Sequence, residues 1–296
     1  MIIKQIDWLA PAGTENFNIY PIGDVHLGAS NCAEPHFRNY VDVIRKDKNA
    51  KWFGGGDLID AVIWADRKRW DASNVPPWLG GKPISVIKKS LKDTVKAQID
   101  RLVEILDPIK DKCIGLIEGN HEYTMVHYHN RDVLGTLCDD LKVDDLTDCC
   151  FIRFKLKRYT KSNNDTAVIT MRGLHGRGGG RTAGAEPNQL QRLAQETDAE
   201  FVFRGHSHTF CIAPPVPRLM VPRQGALTDH AKSHIVRAAN WGCFLLSYAP
   251  GDSTYDSRAQ YPARPLMTFK ATVKPWTKVD KDKTKMIYKL EEVELD

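Results

Sequence analysis

Asn18-Ile19-Tyr20-Pro21-Ile22-Gly23-Asp24-Val25-His26 is a short apolar run that ends on two metal-ligand side chains. The same figure recurs four more times. Lys51-Trp52-Phe53 and three glycines lead to Asp57, and Cys113-Ile114-Gly115-Leu116-Ile117 leads to Gly119-Asn120-His121-Glu122. Ala167-Val168-Ile169-Thr170-Met171 leads to His175, and Phe201-Val202-Phe203 leads to Gly205-His206-Ser207-His208. In an open α/β sheet the functional crevice lies beyond the carboxyl ends of the strands. If the five runs are neighbouring strands of one sheet, the oxygens of Asp24, Asp57 and Asn120 converge with the imidazoles of His26, His175, His206 and His208. Such a donor set has few uses other than holding metal ions.

Between these runs the pattern changes to helical. Phe37, Tyr40, Val41 and Ile44 share one face of a helix from Pro35 to Lys46, with Asn31 or Ser30 as its cap and Pro35 in its first turn. Ile84, Ile87, Leu91, Val95, Ile99, Leu102, Val103 and Leu106 form a longer stripe that Pro108 stops. A third helix is expected from Pro187, using Leu190, Leu193 and Ala194. Strand and helix alternate, which argues for a layered sheet with right-handed crossovers. Composition alone does not separate two packed sheets from one doubly wound sheet.

Composition sets further bounds. A chain of 296 residues can bury a full core as one large α/β domain spanning 1–296. Hydrophobic content is 42% and charged content 27%, ordinary for a globular protein outside a membrane. No run is long enough to span a bilayer, and the first residues lack the basic start and apolar stretch of a secretory signal. The seven cysteines are odd in number and hold no Cys-x-x-Cys pair, which argues against a disulfide framework and a zinc knuckle and favours a reducing cytoplasm. Net charge is only +5, so there is no strong polyanion footprint. Oligomeric state is not legible.

The ordered blocks Asp24-Val25-His26, Gly56-Asp57, Gly119-Asn120-His121-Glu122, His175 and Gly205-His206-Ser207-His208 resemble the calcineurin-like metallophosphoesterase superfamily. Any one block is a weak match, but five in order, each behind a strand-like run, are specific. The resemblance covers about residues 18 to 210 and implies an α/β fold of two packed β-sheets flanked by helices, a four-layer sandwich. It implies two divalent ions and a metal-bridging hydroxide for in-line attack. Asp24, His26, Asp57 and His208 would hold one ion; Asp57, Asn120, His175 and His206 would hold the other, with Asp57 bridging. His121 would protonate the leaving oxygen or stabilise transition-state charge, and Glu122 would orient a neighbour or cap a helix. Imidazole and oxygen ligands without thiolate favour manganese, iron, zinc or nickel over magnesium or calcium. His36, His127, His129, His230 and His234 are read as structural.

Asp24-Val25-His26-Leu27-Gly28 resembles the opening block of the DNA-repair exonuclease branch, which favours phosphodiesters in nucleic acid or a nucleotide. The phosphoprotein-phosphatase branch shows Asp-Arg-Gly after its second block. Here Asp60 is followed by Ala61-Val62. A phosphomonoesterase or pyrophosphohydrolase on a small metabolite is the alternative, and an inactive scaffold a third. Residues 61–82, with Trp64, Trp70 and Trp78 among Arg67-Lys68-Arg69, form either a lid or a tryptophan-anchored loop. The glycine-rich stretch after His175 either brings Arg177 or Arg181 to phosphate oxygens or forms a mobile surface loop. Ile152 to Lys157 alternates apolar and basic residues, giving a strand with one positive face. Residues 251–296 are expected to add late strands packed on the core.

Overall fold

A computed structural model describes residues 1–10, 16–63, 78, 94–159, 164–178, 182, 184–220, 232–248, 262–280 and 283–295. The strand β2 (Phe17–Ile22) shows how the layers form. All six of its residues are buried, so it is covered on both faces. Strand geometry sends alternate side chains to opposite faces. Phe17 and Ile19 enter one hydrophobic cluster, and Tyr20 and Ile22 enter another.

The first of these clusters lies between two sheets. One sheet runs β12 (Lys283–Glu294), β11 (Met267–Asp280), β2, β3 (Ala50–Gly54) and β4 (Cys113–Leu116). The other has seven strands in the order β1 (Ile2–Leu9), β5 (Cys149–Tyr159), β6 (Asn164–Leu174), β7 (Phe201–Arg204), β10 (Lys232–Asn240) and β8 (Cys211–Ile212). Strand β9 (Val216–Met220) also pairs with β10. Phe53, Ile152, Phe154, Phe201 and Phe203 fill the space between the sheets.

Helices close the outer faces. Helices α1 (Glu34–Lys46), α2 (Thr94–Leu106) and α4 (Val133–Leu141), separated in sequence by α3 (Asn120–His129), present Phe37, Tyr40, Ile99, Leu102 and Leu137 to Trp52 and Tyr20. Helix α5 (Ala185–Gln195) lays Leu190 and Ala194 on Val202, Val236 and Ala238 of the other sheet. The result is a mixed α/β fold of two packed sheets flanked by helices. Among the described residues no helix is long and apolar enough to cross a membrane.

Several local expectations change. The five ligand-bearing runs are not neighbours in one sheet: β2, β3 and β4 lie parallel in the first, and β6 and β7 lie parallel in the second. An apolar run specifies a buried strand but not which partner it hydrogen-bonds. Helix α1 begins at Glu34 with Ala33 at its N-cap and no side-chain cap, because Asn31 donates instead to the Leu246 carbonyl at 3.0 Å. Pro35 does lie in its first turn. Helix α5 starts two residues before Pro187, and the described part of the long stripe begins at Thr94. Ile84, Ile87 and Leu91 lie outside the described residues, as do Trp64, Trp70 and Arg67-Lys68-Arg69. Trp78 is described and lies under the Arg101 guanidinium at 4.7 Å. The basic residues of β5 face away from Ile152, Phe154 and Leu156, which are buried between the sheets. All seven cysteines are unbridged.

Candidate metal centre

Each ligand-bearing loop leaves the carboxyl end of its strand, and the two sheets bring their ends together. Asp24 N–H donates to the Gly56 carbonyl at 3.0 Å, and His26 N–H to the Asp57 carbonyl at 2.9 Å, tying the loops after β2 and β3. Gly205 N–H donates to the His175 carbonyl at 3.1 Å, tying those after β6 and β7. Helix α3 starts at the site, so its first residues Asn120 and His121 are presented to it. The backbone is strained here. Among the described non-glycine residues nine have positive φ, and five of them are Asp24, His26, Asp57, His206 and His208. A left-handed conformation at such residues costs on the order of 1–3 kcal/mol each and persists where the surroundings enforce it.

Glu122 is one enforcer. Its buried carboxylate accepts the backbone N–H groups of Asp57 and Leu58, each at 2.9 Å, and of Gly119 at 3.1 Å. It therefore caps α3 and locks the loop after β3 to it. Glycine is obligatory nearby: Gly56 has φ +84°, and a Cβ there would meet the Gly119 backbone at 2.6 Å.

The side chains form two groups that share Asp57. In the first, His26 Nε2 lies 3.0 Å from His208 Nε2, and Asp24 Oδ1 lies 3.3 Å from His208 Nε2. In the second, His206 Nδ1 lies 2.6 Å from Asn120 Oδ1 and 3.3 Å from His175 Nε2. Asp57 Oδ2 stands between them, 3.8 Å from His26 Nε2 and 3.2 Å from His175 Nε2. Asp57 Oδ1 accepts the backbone N–H of His121 at 2.8 Å. Ligands about 2.1 Å from one tetrahedral ion stand about 3.4 Å apart, inside the 2.6 to 3.8 Å range seen here. Asp24 tests the fit. Its Oδ2 accepts from Trp241 Nε1 at 2.6 Å and from His206 N at 3.0 Å, while its buried Oδ1 makes no hydrogen bond. An ionised carboxylate oxygen buried without a donor is costly, and a cation satisfies it. The residues present can hold metal.

Electrostatics agree. Burial opposes ionisation of Asp57, but His121, His175 and His26 hold it well below the ordinary carboxylate range. Burial alone would lower His175, yet Asp57 and Asp24 push it up to about 10. Burial, then His121 and His208, drives His26 far down. Burial and His175 lower His206. Neutral imidazole is the form that ligates a metal. Burial, then Asp57, raises Glu122 to about 7.

His121 lies beside this set. A ring nitrogen falls within 4.8 Å of donor atoms of His26 and Asp57, so distance alone would admit it as a donor. Its Nδ1 is hydrogen-bonded to the Asp60 carbonyl, and Asp60 Oδ1 is 3.8 Å from the same nitrogen. Arg177 is exposed, and Arg181 lies outside the described residues. Two residues at the site lie outside the ligand set read from the ordered blocks of the sequence. Asp60 stands three positions after Asp57, near His121 and His26. Trp241 follows β10, the same strand-end placement that marks the other site residues, and that placement is the signal that could have found it.

No family model and no curated protein matches the chain. Among solved structures it is similar to a conserved uncharacterized protein, a predicted phosphoesterase, from Streptococcus pneumoniae. Identity there is 12%, covering 93% of this chain and 90% of that one, with a TM-score of 0.30. It is also similar to Vps29 complexed with zinc from Entamoeba histolytica, at 12% identity over 95% of this chain and 100% of that one, with a TM-score of 0.33. Likenesses this loose carry no argument about activity.

Proposed function

We propose that the chain hydrolyses phosphoesters with two divalent transition-metal ions. Asp24, His26, Asp57 and His208 would hold one, and Asp57, Asn120, His175 and His206 the other. The observation that carries this is the position of Asp57 Oδ2, which stands between an imidazole of each group. Seven oxygen and nitrogen donors without a thiolate suit manganese first, with iron, zinc or nickel as substitutes. When bound, such a pair supplies charge neutralisation at phosphoryl oxygens and an activated water for in-line attack.

The chain's own groups do the rest. Glu122 fixes the loop that carries Asp57, and the His121 amide fixes Asp57 Oδ1 so that Oδ2 alone faces both groups. With His121 Nδ1 on the Asp60 carbonyl, proton delivery to the leaving oxygen falls to Nε2. Phosphodiesters of nucleic acid or nucleotides are the preferred substrate class, supported by Asp24-Val25-His26-Leu27-Gly28 and by Arg177 just beyond His175. The unbridged cysteines support a reducing cytoplasm as the setting.

A hydrolysis panel with manganese tests this, comparing an aryl phosphodiester, an aryl phosphomonoester, single-stranded DNA and cyclic nucleotides. Diesters should be cleaved faster. Replacing Arg177 and Arg181 with alanine should raise KM for a nucleotide diester more than for the small aryl diester. Faster cleavage of monoesters would assign the site to a metabolite phosphatase instead.

A further inference from the structure

Trp241 is the aromatic side chain that the chemistry above does not use, and it lies at the centre of the ligand loops. The residue is 1% exposed. Its indole N–H donates to Asp24 Oδ2 at 2.6 Å, and the same oxygen accepts the His206 backbone N–H at 3.0 Å. Two donors on one oxygen leave the carboxylate a single orientation, with Oδ1 turned toward His208 Nε2 at 3.3 Å. The indole is itself closely approached by the backbone at three glycines. A Cβ on Gly23, Gly55 or Gly205 would stand 2.4, 2.4 and 2.3 Å from indole atoms. Those glycines immediately precede Asp24, Gly56-Asp57 and His206. The ring of Phe53 packs on its edge at 6.3 Å.

Apart from the His206 N–H on Asp24 Oδ2, the other half of the centre is positioned by different bonds. Asp57 Oδ1 is held by the His121 amide, and His175 Nδ1 by the Gly55 carbonyl at 2.8 Å. Asn120 meets His206 and His175 directly. Trp241 makes no hydrogen bond to any of these side chains.

We propose that Trp241 is a positioning residue: its indole N–H holds Asp24 with Oδ1 facing the metal and so sets the affinity of the Asp24–His26–His208 half selectively. The proposal rests on the two-metal reading of the site. Partners that orient a ligand from behind typically change metal affinity by about 10–100-fold when removed. Trp241→Phe deletes the donor and keeps a ring among the glycines.

The test is calorimetric titration of metal-free wild type and Trp241→Phe with zinc and with manganese. Wild type should show two sites. The variant should keep one near its wild-type affinity and weaken the other about 10–100-fold. A merely structural tryptophan would lower thermal stability and leave both affinities alone. That result, or equal weakening of both sites, overturns the proposal. If the variant does not fold, the wild-type indole resonance decides. Among seven tryptophans it is assigned by its proximity to the His206 amide proton, and it should shift on zinc addition; an unmoved resonance overturns the proposal. Wild type that takes up no metal overturns the two-metal reading itself, and Trp241 with it.

Discussion

The carboxylate of Glu122 accepts the backbone N–H of Asp57 at 2.9 Å, so a side chain in the first turn of α3 sets the loop that bridges the site. The neighbouring bonds to Leu58 and Gly119 make Glu122 the acceptor for three backbone donors. Leaving a buried donor unsatisfied costs about 1–3 kcal/mol. Glu122→Ala should therefore destabilise the protein by about 3 kcal/mol or more in urea unfolding, and Glu122→Gln should recover part of that loss. An alanine variant as stable as wild type would show that the loop holds its conformation without this clamp.

His121 separates holding metal from moving protons. His121→Ala should keep its metal and lose about 10²–10⁴-fold in turnover on esters with poor leaving groups, the usual contribution of a general acid. Nitrophenolate departs without a proton, so the loss on nitrophenyl esters should be smaller. Unchanged rates on poor leaving groups would remove His121 from the chemistry.

A pH-dependent contribution comes from an ion cluster that joins α1 to α2. Glu34 of α1 accepts from Arg101 Nε and Nη2 of α2 at 2.9 and 2.8 Å and from Arg38 Nε at 2.8 Å. Burial opposes ionisation of Glu34, but these guanidinium groups bring it below its ordinary value of 4.5. A depressed carboxylate contributes stability that is present above its unfolded value and lost as pH falls through the folded one. Glu34→Gln should thus cost about 1 kcal/mol at pH 7, the upper end for a partly exposed pair. The gap to wild type should close as pH drops below 4.5. A gap that persists unchanged in acid would mean that shape, not charge, holds α1 to α2.

That these side chains would converge was legible because each ends an apolar run, and strand ends are where an α/β fold presents its chemistry. Asp24, Asp57 and Asn120 follow β2, β3 and β4, and His175 and His206 follow β6 and β7. Which sheet each strand joins was not legible, since pairing depends on contacts distant in sequence. Trp241 and Asp60 were missed for another reason: an indole is not a metal ligand, Asp60 stands outside the ordered blocks, and each acquires its partner only when the loops meet. The cap of α1 failed because Asn31 is drawn to the loop at Leu246.

The metal content of Asp57→Ala, set against wild type by elemental analysis after manganese loading and gel filtration, tests the two-metal centre most directly. Asp57 Oδ2 is the atom that stands between both groups, so wild type should retain up to two ions per chain, and the variant should lose much of that metal together with its activity. Full metal occupancy and full activity in Asp57→Ala would contradict the account.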